Sequence, residues 1–173
     1  PISYYAFQML YWTGIRVGEL LALTAGDFDF KNNMLTINKS YQRLHGEDVI
    51  TPPKTEKSKR TIKMPQFLCG EMQEYLKMFY SPNDGDRIFP ISKSYLHHEM
   101  DRGSKATGVK RIRIHDLRHS HVSLLINQGY QAAAIADRVG HETVEITDRY
   151  THIYPSKQNE MANTLDELWK ERK

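Results

Sequence analysis

The sequence predicts an α+β domain, mainly α-helical, in which helices surround a cleft and a small three-stranded antiparallel β-sheet lies at one edge. Two observations carry this reading. Apolar residues recur at helical spacing over most of the chain, whereas from Met34 to Pro65 that period gives way to short β-rich runs broken by turn-prone residues. A third bounds it: 173 residues suit one domain that buries its core without disulfide help.

Residues Ile2 to Trp12 place Tyr5, Ala6, Met9 and Leu10 on one face, and Thr13-Gly14 breaks the pattern. A second helix begins near Arg16. Glu19 lies three residues on, on the same outward face, while Val17, Leu20, Leu21 and Leu23 turn inward. The three predicted strands are Met34 to Tyr41, Val49 to Pro53 and Arg60 to Met64, with a turn at His45-Gly46-Glu47-Asp48. Lys54 falls just beyond the second strand, and Thr55 to Lys59 form the turn that follows. Helices resume over Gln66 to Tyr80 and Ser92 to Thr107, separated by Pro82, Asn83, Asp84 and Gly85. His115 to Gln128 is helical until Gly129, Gln131 to Val139 until Gly140, and a short helix covers Thr143 to Tyr150. Pro155 opens a final segment, 155–173, in which Met161, Leu165, Leu168 and Trp169 form one apolar stripe.

Bulk properties exclude several classes. The single cysteine, Cys69, has no internal partner, and no apolar run approaches the roughly 20 residues that span a bilayer, so neither secretion nor a membrane role is expected. The formal charge is only +3, but the cations are bunched: Lys54, Lys57, Lys59, Arg60 and Lys63, opposed by Glu56, and then Lys105, Lys110, Arg111 and Arg113. Both clusters flank the motifs below. The segment Gly103 to Gly108 is followed by Val109 where a phosphate-binding P-loop needs lysine, so it reads as a helix-ending loop.

The last third concentrates the chemistry. His115-Asp-Leu-Arg118 puts a histidine and an arginine one helical turn apart, Gly140-His141 follows a helix end, and Tyr150 stands two residues before His152. These are cations around a nucleophile. A phosphodiester attacked by a phenol passes through a species with about two negative charges, which fixed Arg, Lys and His donors stabilise. A metal site built on His115, His119, His121, His141 and His152 is the competing reading. It fits poorly, since Asp116 stands where the His-Glu-x-x-His signature needs glutamate and His121 faces elsewhere on the helix.

With Arg16-Val-Gly-Glu19 and Pro53-Lys54-Thr added, the ordered set resembles the catalytic domain of the tyrosine recombinases, the phage-integrase family, over nearly the whole chain. The long segment from Met34 to Pro65 is similar to that of integrases from phages and conjugative transposons. The resemblance implies a catalytic set of Arg16, Lys54, His115, Arg118, His141 and Tyr150. Tyr150 would attack the DNA backbone and form a 3′-phosphotyrosine. Arg16 and Arg118 would clamp the non-bridging oxygens, His115 would accept the tyrosine proton, and His141 would hydrogen-bond the phosphate. Lys54 would protonate the leaving 5′ oxygen, with Lys57 and Lys59 as competitors. Glu19 and Asp116 would orient cations or cap helices. No cofactor and no metal is implied. The implied partners are double-stranded DNA, a homo-tetramer on paired sites, and accessory DNA-bending or directionality proteins, in a cytoplasmic, nucleoid-associated setting. Residues 1–173 would form the catalytic domain, with N-terminal DNA-binding domains upstream and the 155–173 tail docking on a neighbouring subunit. Two other functions stay open: a type IB topoisomerase, and a DNA-binding module without catalysis.

Overall fold

The computed structural model describes residues 1–53, 55–79, 83, 85–150, 162–165, 167 and 169. Seven helices are resolved between residues 2 and 148: α1 (Ile2–Thr13), α2 (Val17–Ala22), α3 (Gln66–Lys77), α4 (Lys93–Thr107), α5 (Asp116–Asn127), α6 (Ala132–Val139) and α7 (Val144–Asp148). Each starts or stops where the residues demand. Gly14, Gly108 and Gly140 end α1, α4 and α6 in the left-handed conformation that a side chain disfavours, and the Ser92 hydroxyl caps α4 by accepting from the Tyr95 amide at 3.1 Å. Residues 162–165, 167 and 169 are helical as well.

The expected three-stranded antiparallel sheet is present, but with a different membership. It consists of β1 (Phe28–Asp29), β2 (Met34–Ile37) and β5 (Arg60–Lys63), in that order, while β3 (Ser40–Leu44) and β4 (Glu47–Thr51) form a separate hairpin. The run Met34 to Tyr41 therefore splits at Asn38-Lys39. The reason is polar: the Lys39 ammonium reaches the buried Asp27 carboxylate at 2.5 and 2.6 Å, and the chain beyond it turns to pack Tyr41 against α2 instead of extending the ladder. The hairpin turn does fall at His45-Gly46, both at positive φ (50° and 86°), the pattern of a two-residue turn whose twist matches its strands. β1 is two residues long, too short to show any period. Gly103 lies inside α4, so only Gly108 ends that helix.

One core gathers α1, α2, α3, α4 and the inner faces of β2 and β5. Ala6, Met9, Leu20, Leu21, Leu35, Ile37, Leu68, Met72 and Phe89 are all essentially sealed from solvent. Each large side chain so buried contributes roughly 1.5–3 kcal/mol. A second, smaller cluster of Val122, Ile135 and Val139 joins α5 to α6, and Tyr150 packs against it. Since α5 also packs on α1, these two clusters fix the C-terminal helices over the end of α1.

Candidate active site

Gly14 is where the site begins to assemble. Its positive φ (67°) turns the chain sharply out of α1, and an added Cβ would lie 2.5 Å from the His121 ring. Its carbonyl accepts a hydrogen bond from Arg118 Nη1 at 2.6 Å, tying α5 to the end of α1. Two residues later Arg16 caps α2 in extended conformation. Its amide donates to Glu19 Oε2 at 2.8 Å and its Nη1 to Glu19 Oε1 at 3.0 Å, so the expected pairing of Arg16 with Glu19 is present. Arg16 Nη2 then donates to the Gly140 carbonyl at 3.0 Å, 124 residues away.

Glu19 is 3% exposed and carries a second guanidinium. Arg60 Nη1 and Nη2 meet its two oxygens at 3.0 and 2.9 Å, while Arg60 Nε and Nη1 donate to the carbonyls of Arg138 and Ser58. Burial pushes the Glu19 carboxyl up, but the hydrogen bonds and charges of Arg60, then of Arg16, outweigh it and hold the group below the usual carboxylate range. Asp116 pairs with a cation rather than capping the helix: it accepts from the Arg113 amide at 2.8 Å and from the exposed Arg113 side chain, while α5 carries no side-chain cap at His115.

Arg118 is 3% exposed, and among the described residues its Nη2 has no partner. Burial first, and then the Arg16 charge, push it down to about 9, so it remains charged at neutral pH, and among the described residues no carboxylate pairs with it directly. His115 stands at the start of α5, its ring edge-on to that of His119 with centroids 4.6 Å apart. Gly140, at φ 70°, closes α6 and delivers His141, whose Nδ1 shares a 2.9 Å hydrogen bond with the buried Thr147 hydroxyl. Burial, then Arg118 and Arg16, lower His141 to about 4. Burial, followed by His119, Arg118 and Arg16, also lowers His115. Both imidazoles are therefore neutral at pH 7.

Tyr150 follows α7, half-buried on the small second core, its hydroxyl hydrogen-bonded to His119 Nδ1. Burial raises its pKa against the opposing pull of Arg118 and Arg149. The phenol is thus protonated at neutral pH. Arg16, His115, Arg118, His141 and Tyr150 are brought together from four separate stretches of chain, His115 and Arg118 sharing the start of α5. Lys54 lies outside the described residues. Of its competitors, Lys57 donates to the Glu142 carbonyl at 2.9 Å and Lys59 pairs with Glu56 at 2.8 Å. A cleft of about 400 Å³ opens beside the group, lined by Arg16, Ser40, Pro52, Pro53, Lys93 and His115.

Sequence reasoning missed three contributors: Arg60, the contact of His119 with Tyr150, and Thr147. Only the first left a signal. Arg60 lies opposite Ile37 and two residues before the buried Ile62, so it occupies a core-facing position of its strand.

Comparison with known proteins identifies the family. The profile of the phage integrase family matches residues 2–157. The ICEBs1 integrase of Bacillus subtilis (strain 168) is 36% identical over 176 residues, covering 94% of this chain and 48% of that protein. The integrase of Staphylococcus phage L54a is 32% identical, covering 90% and 49%. Among solved structures, the Tn1549 transposon integrase in complex with a circular intermediate DNA superposes with a TM-score of 0.80 at 23% identity, covering 95% of this chain and 58% of that one. XerA recombinase does so with a TM-score of 0.71 at 23% identity, covering 94% and 56%. The chain belongs to the phage integrase family, and it spans about half the length of the curated relatives it matches.

Proposed function

We propose that the chain is the catalytic domain of a site-specific DNA recombinase, cleaving and rejoining strands by transesterification at Tyr150. The observation that carries this reading is the charge imbalance of the site. A buried guanidinium with an unsatisfied nitrogen stands beside a second, half-exposed one, and a phenol and two neutral imidazoles surround them. A phosphodiester supplies what is lacking: two non-bridging oxygens that accept from Arg16 and Arg118 in the fork geometry an ammonium cannot reproduce.

Tyr150 Oη attacks phosphorus while its proton leaves. The charge that builds on the phosphate is met by Arg16, Arg118 and the free edges of His115 and His141. The 5′ oxygen departs with a proton from Lys54, the family's position for this acid. One phosphodiester replaces another, so a new 5′ hydroxyl reverses the step and joins strands with no external energy source. His141 suits its place, because Thr147 engages Nδ1 and leaves Nε2 to the substrate.

In the longer protein, N-terminal domains would clamp the far side of double-stranded DNA, and four protomers would work on two paired sites with accessory bending or directionality proteins. The apolar positions Leu165 and Trp169 of the 155–173 tail, exposed at 66% and 63%, suit docking on a neighbouring subunit. No helix among the described residues is long and apolar enough to cross a membrane. The setting proposed for this activity is cytoplasmic, nucleoid-associated DNA.

The test uses the full-length protein and a pool of nicked duplexes of randomised sequence, which trap the covalent species because the cleaved end diffuses away. A protein–DNA adduct resolved on a denaturing gel and lost in Tyr150→Phe is the expected result. An adduct that survives Tyr150→Phe, or salt-sensitive binding with no adduct in the wild type, overturns the proposal.

A further inference from the structure

Accepting Tyr150 as the nucleophile, we infer that His119, not His115, is the group that receives its proton. Three observations point there. The Tyr150 hydroxyl is hydrogen-bonded to His119 Nδ1, which makes His119 its partner among the described residues. The Tyr150 and His119 rings lie at 34° with centroids 5.4 Å apart, so the two side chains also pack against each other and the hydroxyl is held at the imidazole. His119 also sits one turn beyond His115 on α5, and is anchored by its amide to the His115 carbonyl.

The local charges favour this direction of transfer. His119 faces Tyr150 from the residues after α7, Asp116, His115 and Arg118 from its own helix, and Arg113 from the segment before it. Burial, then the opposition of Arg113 and Arg118 to Asp116, keeps the imidazole neutral at pH 7 with Nδ1 free to accept. Burial meanwhile keeps Tyr150 protonated, so attack requires an acceptor at the oxygen itself. In the step, the O–H bond of Tyr150 breaks and its proton passes to His119 Nδ1 as the O–P bond forms. The P–O5′ bond breaks, and the 5′ oxygen takes a proton from the Lys54 ammonium. In rejoining, the imidazolium returns its proton to the departing phenolate and the Lys54 amine takes back the proton of the attacking 5′ hydroxyl. His115, whose ring meets His119 edge-on, is then left to the phosphate rather than to the nucleophile.

The experiment replaces His119 by glutamine, whose amide accepts a hydrogen bond but takes no proton, in the full-length protein. Adduct formation with the nicked-duplex pool is followed in a single turnover. The expected loss is roughly 100-fold to 10,000-fold, the range for general base catalysis. Placing a ring-fluorinated tyrosine at position 150, already ionised near neutral pH, should restore most of the rate in His119→Gln and not in His115→Gln. Wild-type cleavage by His119→Gln overturns the inference, as does a loss that the fluorinated nucleophile does not relieve, or relief confined to His115→Gln. Failure of the underlying reading looks different, since it removes the adduct from the wild type or leaves it in Tyr150→Phe. Should His119→Gln not fold, nitrogen NMR of the His119 ring without DNA decides: Tyr150→Phe is expected to shift Nδ1 and raise the imidazole pKa, and an unchanged titration overturns the assignment.

Discussion

Replacing Arg60 by methionine should destabilise the fold and disable the site together, because one carboxylate serves both. The Arg60 and Glu19 side chains are 6% and 3% exposed and joined by hydrogen bonds of 3.0 and 2.9 Å. Removing one partner of such a buried pair costs about 3–5 kcal/mol. Here the lower end applies, since Glu19 keeps the Arg16 amide at 2.8 Å and the Arg16 guanidinium at 3.0 Å. A loss of about 3 kcal/mol corresponds to a fall in Tm of roughly 6–12 °C for a chain of this size. The carbonyls of Ser58 and Arg138 lose their donors as well, which slackens the α6 end that delivers His141. Urea denaturation of Arg60→Met, Glu19→Gln and the double variant measures the pair. The double should cost less than the sum of the singles by about 0.5–3 kcal/mol. A loss below about 1 kcal/mol for Arg60→Met, the value of an exposed ion pair, refutes the reasoning, and so does strict additivity.

Gly140→Ala forces a side chain into the left-handed region at φ 70° and sets a Cβ 2.9 Å from Arg60 Nη1 and 3.2 Å from the Lys57 carbonyl. The backbone strain alone costs about 1–2 kcal/mol, and a variant as stable as the wild type in urea would contradict the geometry. His121, 3% exposed, is lowered to about 4, by burial first and then by Arg138. Between pH 6.5 and about 4 the unfolded chain binds this proton and the native chain does not. Stability is therefore full above pH 6.5 and falls as pH drops through that window, by up to about 3 kcal/mol from this group. Thermal melts of His121→Gln should show a flatter acid limb, and an unchanged slope would refute the assignment. Arg118→Lys keeps a charge but loses the fork that joins the Gly14 carbonyl to the open Nη2, so adduct formation should fall roughly 100-fold to 1,000-fold. Equal cleavage rates for lysine and arginine would show that a point charge suffices.

Helix positions were readable because their signals are local. Gly14, Gly129 and Gly140 mark ends, and the apolar faces of α1 and α3 repeat often enough to fix their period. The sheet was legible only in outline. Whether Met34 to Tyr41 is one strand or two depends on Lys39 finding Asp27 twelve residues back, and no periodicity encodes that choice. The site divides in the same way. Arg16, His115, Arg118, His141 and Tyr150 stood out through their ordered motifs, whereas the bonds that hold them in place link distant stretches: Arg16 to Gly140, Arg118 to Gly14, Arg60 to Glu19. His119 was visible as a residue, but its contact with Tyr150 is set by how α7 packs on α6 and Tyr150 on the cluster that joins α5 to α6.

The energetics of this site run against stability, and that opposition is informative. Arg16 and Arg60 pair with one buried carboxylate, Glu19, with Arg118 near it and Arg138 near Arg60, and most of the remaining hydrogen bonds of the four guanidinium groups go to backbone carbonyls. Carbonyl dipoles satisfy guanidinium donors without neutralising their charge, so the excess persists, and burial first, then the neighbouring charges, depress His115, His141 and Arg118 together. Like charges held together in a partly buried site repel, so this excess is carried by the fold as a standing cost. An arriving phosphate reverses its sign. On the proposed mechanism the same cations would favour the bound state, the histidines would regain proton affinity as negative charge grows on the reacting phosphorus, and His119, in contact with the Tyr150 hydroxyl, would act at the nucleophile. Substitutions that neutralise this cluster should therefore separate the two properties, raising thermal stability where the freed volume is filled with apolar atoms while lowering the rate of strand cleavage.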